Sequence, residues 1–278
     1  MITEEQKERL ELENKKIADN ISQIKNRIVV FSGKGGVGKT TVSVNLSYGL
    51  QAHGFKTGIL DADITGPNVP KMTGIKGEVH TLDNKIIPQE SRGVKVISMA
   101  SLLPPDKAVV WRGPMRSKMI NEFLGNVNWG DLDFLVADLP PGTGDEGLTI
   151  AQSMKPDMAI IVTTPQEVSL IDSARAISMA KDLNIPKIVL VENMSGLICP
   201  NCGERIDLFG SGGGKKQAKE MNIPFLGAIP INLDARKMAD EGKSIIIENK
   251  EADISKEIYR IVSEIEKIFN KHLKDETA

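Results

Sequence analysis

Residues 33–40 read Gly-Lys-Gly-Gly-Val-Gly-Lys-Thr, fitting G-x-x-x-x-G-K-[ST]. The run lies between an apolar stretch, Arg27–Ser32, and a segment that reads as helix, Thr41–His53. A strand, a glycine loop and a helix in this order suit anion binding. Backbone N–H groups must curl around the anion, which requires glycines that accept positive φ and close approach. The following helix aims the positive end of its dipole at the same point. In the loop Gly33–Thr41, the backbone from Gly33 through Gly35, Gly36, Val37 and Gly38 forms the cradle. Lys39 reaches the β- and γ-phosphates, and the Thr40 hydroxyl can bind Mg²⁺, with Thr41 completing the loop. The expected ligand is a nucleoside triphosphate, ATP with Mg²⁺.

The rest of the chain is consistent with such a loop. Strand-like runs occur at Arg27–Ser32, Thr57–Asp61, Val94–Met99, Phe134–Asp138, Met158–Thr163, Lys187–Glu192 and Phe225–Ile229. Several are apolar nearly throughout, as strands covered on both faces must be. Thr41–His53, Met115–Leu124, Ser169–Leu183 and Gly214–Met221 read as helices between them. The alternation predicts an α/β fold, a mostly parallel twisted sheet with helices on both faces, with ligands at the carboxyl ends of the strands. Residues 64–93, rich in Gly and Pro, read as an insertion of loops with a hairpin, and Ile254–His272 as a charged amphipathic helix. Residues 1–26 read as a helical extension in which Leu10, Ile17, Ile21, Ile24 and Ile28 share one face. Residues 27–278 read as a single nucleotide-binding domain.

Two predicted strands end in carboxylates on the ligand side. Thr57–Asp61 runs into Asp61-Ala62-Asp63, and Phe134–Asp138 into Asp138-Leu139-Pro140-Pro141-Gly142. Mg²⁺ takes one or two carboxylates, often through water, so Asp138 is the Walker-B candidate. Gly142 suits a switch loop whose N–H senses the γ-phosphate. The competing reading is that strand-end aspartates merely cap the following turns.

Cys199 and Cys202 are the two cysteines of the chain, spaced as Cys-Pro-Asn-Cys. They exclude a disulfide framework. Two thiolates two residues apart can bind one metal or one cluster edge but cannot complete a tetrahedral site. A symmetric dimer would bring four cysteines to one point and accommodate a bridging [4Fe–4S] cluster or Zn²⁺. A redox pair and an inert pair remain alternatives at this level. With a net charge of −2, the chain has no global basic field for nucleic acid or an anionic membrane. No apolar run approaches the length of a membrane span and no secretory leader is evident, so a cytoplasmic protein is expected.

Lys34, directly after the first glycine, gives Lys-Gly-Gly-Val-Gly-Lys-Thr-Thr, which resembles the deviant phosphate loop of the MinD/ParA/nitrogenase-reductase class. Further motifs follow in order: Leu60-Asp61-Ala62-Asp63-Ile64-Thr65-Gly66-Pro67-Asn68, Trp111-Arg112-Gly113-Pro114, Asp138 to Asp145, Glu192-Asn193-Met194-Ser195, the cysteine pair, and Phe209 to Gly214. With them the chain resembles the Mrp/Nbp35 family of iron–sulfur cluster carrier ATPases. The resemblance covers about residues 20–245. It implies a homodimer with two ATP sites and a labile [4Fe–4S] cluster shared by the two cysteine pairs and passed to apo iron–sulfur proteins. It implies that Lys34 crosses to the partner's phosphates, that Asp63 positions or activates the attacking water, and that Asp61 sits near the metal. It also implies that Asn193 reads the adenine edge and that the backbone at Pro230 contacts the base. The absence of cysteine from residues 1–26 and the short stretch ahead of the loop resemble the minimal, archaeal-style form. The rival readings are a spatial regulator of the MinD/ParA type, a nitrogenase-reductase-like electron donor and a zinc-stapled ATPase. The first leaves the cysteines unexplained, and the second uses cysteines that are widely separated.

Overall fold

The computed structural model describes residues 4–63, 66–98, 101, 113–142 and 144–275. The chain opens with α1 (Glu4–Ile21), β1 (Ile24–Phe31), α2 (Lys39–Ala52), β2 (Thr57–Asp61) and α3 (Val69–Thr73). Short strands β3 (His80–Leu82), β4 (Lys85–Ile87) and β5 (Gln89–Ser91) lead to β6 (Val94–Ser98). Then come α4 (Gly113–Asn126), β7 (Leu132–Asp138), α5 (Asp145–Met154), β8 (Met158–Thr163), α6 (Glu167–Asp182) and β9 (Lys187–Glu192). The remainder is β10 (Leu197–Ile198), β11 (Arg205–Ile206), α7 (Gly213–Glu220), β12 (Phe225–Ala228), α8 (Leu233–Asp240), α9 (Ile245–Glu248) and α10 (Asp253–Asp275).

Eight strands form one sheet in the order β12-β9-β8-β1-β7-β2-β6-β5. All neighbours are parallel except the β5–β6 edge pair. The reason is visible along each strand. Val29 and Phe31 of β1, Leu135 and Ala137 of β7, and Ala159 and Ile161 of β8 enter one core, with α1, α4, α5, α6 and α7. Their alternates Ile28, Val30, Phe134, Val136, Ile160 and Val162 enter a second core with α2, α9 and α10. Burial on both faces is what a run of unbroken aliphatic residues permits. β1 lies in the middle of the sheet, so its carboxyl end, where the glycine loop begins, is flanked by the ends of β7 and β8.

Two expectations are corrected. The face built from Leu10, Ile17, Ile21, Ile24 and Ile28 is not one helix face. α1 stops at Ile21, and Ile24 and Ile28 are buried as residues of β1, because pairing with β7 captures the backbone from Ile24 onward. Leu10 is 54% exposed, whereas Ile17 and Ile21 are buried. α1 still docks on the domain: Asn20 Nδ2 donates to the carbonyls of Leu124 and Val127 at 2.7 and 2.9 Å, closing the end of α4. The described part of the expected insertion, residues 66–93, holds more than loops with one hairpin: the β3–β4 hairpin is there, but α3 and β5 flank it.

Candidate functional site

The carboxyl ends of β1, β2, β9 and β12 open into a cleft of about 700 Å³. Gly35 through Thr41 form its floor, Asp63, Pro141, Asn193 and Pro230 stand on its walls, and Leu208, Phe209 and Arg236 line its outer part. The loop is held open by its glycines. Gly38, the residue before α2, has φ +81°, and a Cβ there would lie 2.1 Å from Asn193 Nδ2. Gly33 packs so closely on α6 that a Cβ would lie 2.1 Å from the Asp172 carbonyl oxygen. Asn193 Nδ2 donates to the Val37 carbonyl at 2.9 Å, fastening the end of β9 to the loop.

Beneath the loop is a buried polar cluster around Asp138. Its Oδ1 accepts from Lys39 Nζ at 2.8 Å and from Ser43 Oγ at 2.7 Å, and its Oδ2 from Thr40 Oγ1 at 2.6 Å. Lys39 and Asp138 are 6% and 0% exposed. The two groups suited to phosphate and metal are therefore gathered on one carboxylate. The oxygen set of Thr40 and Asp138 is hard, which fits Mg²⁺. Ser43, one helical turn beyond Lys39, carries no motif and was not singled out from sequence; its spacing of four from Lys39 along α2 was the available signal.

Asp61 and Asp138 are register partners across β2 and β7. Asp61 is fully buried and does not line the cleft: its Oδ2 accepts from Ser98 Oγ at 2.9 Å and the Val69 N–H at 3.3 Å, and its Oδ1 from the Asp63 N–H at 3.2 Å. Burial first, and the Asp138 charge second, push the Asp61 carboxyl up to about 8. Asp63 lines the cleft, and its Oδ1 accepts from the Gly66 N–H at 3.0 Å. Gly142 has φ +89° and donates its N–H to the Ser32 carbonyl at 2.9 Å. Lys34 is half-buried, does not line the cleft, and has no ion pair among the described residues. Ile64, Thr65, Trp111, Arg112 and Thr143 of the sequence motifs lie outside the described residues.

The raised Asp61 carboxyl has a consequence for the metal-free protein. Its folded value, about 8, lies above the ordinary 3.8, so the fold holds a proton that the unfolded chain releases above pH 3.8. The corresponding stability is complete below 3.8 and is lost as pH rises through 8. Asp61→Asn removes this loss. Between pH 5 and 8, in chelator, the Tm difference between variant and wild type is expected to move by roughly 5–10 °C in the variant's favour. A difference independent of pH, read by scanning calorimetry, would contradict it.

The cysteines sit apart from the loop, on a hairpin of β10 and β11. Cys199 N–H donates to the Glu204 carbonyl at 2.8 Å, and Gly203 N–H to the Cys199 carbonyl at 2.9 Å, so the four residues fold back as a knuckle. Backbone N–H groups of Cys202 and Asn201, with the Cys202 side chain, hold the Cys199 thiol below its ordinary value. Among the described residues no cluster of three or more His, Cys, Asp or Glu could hold a metal. The hairpin joins the cleft wall through Ile231, whose N–H donates to the Gly196 carbonyl at 2.8 Å. A smaller cavity of about 300 Å³ beside Ile198 and Pro200 shares Pro230, Ile231 and Asn232 with the nucleotide cleft.

Comparison with known proteins agrees with this geometry. The ParA-group profile for the NUBPL iron-transfer P-loop NTPase matches residues 23–266. The chain belongs to this family. An iron–sulfur cluster carrier protein of Methanocaldococcus jannaschii is 49% identical over 267 residues, 94% of this chain and 92% of that one. One from Pyrococcus horikoshii is 50% identical over 244 residues, 84% of this chain and 83% of that one. A solved nucleotide-binding protein of Archaeoglobus fulgidus, in complex with ADP, superposes with TM-score 0.76 at 42% identity over 87% of this chain and 95% of that one. The Pyrococcus furiosus cell-division ATPase MinD shares the fold, with TM-score 0.65 at 22% identity over 88% of this chain and 99% of that one. The NUBPL-family chain thus has the mostly parallel P-loop NTPase sheet that its strand pattern predicts. No helix of its described residues is long and apolar enough to cross a membrane.

Proposed function

We propose that the protein is an ATP-hydrolysing carrier that binds a [4Fe–4S] cluster between two copies of the chain and passes it to apo iron–sulfur proteins in the cytoplasm. The observation that carries this reading is the knuckle. Two thiols lie two residues apart with one of them already acidified, and no third ligand stands beside them among the described residues. A second copy would supply the missing two. The names of the relatives support iron–sulfur cargo over other metals.

At the cleft, Gly33–Thr41 would wrap the phosphates, Lys39 would turn from Asp138 to the β- and γ-oxygens, and Thr40 with Asp138 would hold Mg²⁺, Asp61 lying behind them. Asp63 would orient the water that attacks the γ-phosphorus, ADP leaving as the β–γ bridge breaks. Gly142 would report the γ-phosphate, and Asn193 and Pro230 would bound the base. Lys34 of each chain would act at the other chain's phosphates, so the ATP and cluster sites are both completed by dimerisation. Turnover is slow and switch-like in this reading, with residues 27–278 acting as one ATPase domain and 1–26 as its helical extension. The deciding experiment is anaerobic reconstitution with iron and sulfide. Wild type should take up about four irons per dimer, and Cys202→Ala should lose essentially all of it. No iron uptake, with one zinc per dimer instead, would overturn the reading in favour of a zinc staple.

A further inference from the structure

The run Gly210-Ser211-Gly212-Gly213-Gly214, ahead of Lys215 and Lys216, has the composition of a second anion cradle at the start of a helix. The structure fills it from within. Glu192, the last residue of β9 and 0% exposed, places Oε2 2.7 Å from the Gly214 N–H and Oε1 3.4 Å from the Gly212 N–H. The same Oε1 accepts the Ser195 hydroxyl at 2.6 Å. A Cβ on Gly214 would lie 3.1 Å from the Glu192 Cβ, so glycine there lets the chain close on the carboxylate.

One side chain thereby joins two segments with different duties. Ser195 opens the loop that enters β10 and Cys199, and its carbonyl accepts from Arg205 Nη2, on the other strand of the cysteine hairpin, at 3.2 Å. Arg205 lies over Gly196, where a Cβ would come within 2.8 Å of Nη2, so loop and hairpin are packed directly on each other. Gly212 ends the segment that carries Leu208 and Phe209 to the nucleotide cleft. Asn193, the residue after Glu192, is bonded to the glycine loop itself through Val37.

We propose that Glu192 is the positioning residue that couples the nucleotide cleft to the Cys199–Cys202 hairpin. It keeps the cleft wall and the root of the hairpin in one register, so a displacement of either by nucleotide is passed to the other. This rests on the reading of the cleft and thiols given above and adds a named link between them. The competing role, a carboxylate that only caps α7, would affect stability and leave the two sites' communication unchanged.

The test follows thiol chemistry and needs no metal. Alkylation of Cys199 and Cys202 by iodoacetamide is timed on the reduced, metal-free full chain, without nucleotide and with saturating Mg-ADP or a non-hydrolysable ATP analogue. Wild type is expected to change rate by about fivefold or more on nucleotide addition. Glu192→Gln, which keeps the shape but offers a donor where loop N–H groups need an acceptor, is expected to lose most of that change at equal nucleotide occupancy. Ser195→Ala leaves both α7 contacts in place and is expected to lose it too; it decides the matter if Glu192→Gln does not fold. A wild type without a nucleotide response, or variants that retain the full response, would overturn the proposal. Failure of the carrier reading would appear separately, as wild type that takes up no iron.

Discussion

Lys34→Ala is expected to bind ADP within a few-fold of wild type and to hydrolyse ATP roughly 10³-fold more slowly, or worse, the range for loss of a cation supplied in trans to phosphoryl transfer. The expectation comes from where the two lysines of the loop lie. Lys39 is buried on Asp138 inside its own chain's cleft. Lys34 is half-buried, does not line that cleft, and is followed by Gly35 and by Gly36, which has φ +80° and open space around it among the described residues. Gly33, ahead of it, is fixed against the backbone of Asp172, so the direction in which Lys34 leaves the loop is set by packing. A cation needed at the γ-phosphate but absent from its own cleft contributes nothing to ground-state binding in a single chain. Calorimetric titration of ADP and steady-state phosphate release at several protein concentrations check both halves. Wild-type turnover per chain should rise with concentration as dimers form. A variant that loses ADP affinity tenfold, with turnover falling only in proportion, would make Lys34 a ligand in cis and remove one reason for the dimer.

Much of the fold was legible because this sheet writes itself plainly. β2, β8 and β9 occupy the spans their apolar runs mark, since a strand buried on both faces has no alternating polar positions in its middle to interrupt the run. α8 could not be read the same way. Its eight residues, Leu-Asp-Ala-Arg-Lys-Met-Ala-Asp, include none that is buried, so no periodic face announces it; its start is fixed by Asn232, whose side chain accepts from the Ala235 N–H. The site divides similarly. Glycine spacing identifies the phosphate loop because the backbone does the binding. The neighbourhood of Asp61 and Asp138 depends instead on strand order, β7 lying between β1 and β2, which nothing in the local sequence states. Ser43 and the contacts of Glu192 are hidden for the same reason: their partners are remote in sequence.

The second large effect concerns Lys39, and it separates stability from chemistry. The cluster beneath the loop holds two fully buried carboxyls, Asp61 and Asp138, and one ammonium. Burial and Asp138 already push Asp61 up to about 8, and Lys39 is among the groups that oppose that shift. Lys39→Met leaves Asp138 with the hydroxyls of Thr40 and Ser43 but without its cation. Breaking a buried pair on one side costs about 3–5 kcal/mol, because the remaining charge is stranded out of water. The variant should therefore lose both ATP binding and roughly 10 °C of Tm near neutral pH. Lys39→Met/Asp138→Asn removes both charges, and most of the lost stability should return while hydrolysis stays absent. Scanning calorimetry of the two variants beside wild type measures the coupling, and a single variant as stable as wild type would refute it. If the coupling is found, Lys39 has two posts. It neutralises Asp138 while the cleft is empty, and it can leave for the phosphates only when another cation takes its place beside that carboxylate. A hard divalent ion on Thr40 and Asp138 meets that requirement, so nucleotide and metal should bind together more tightly than either does alone.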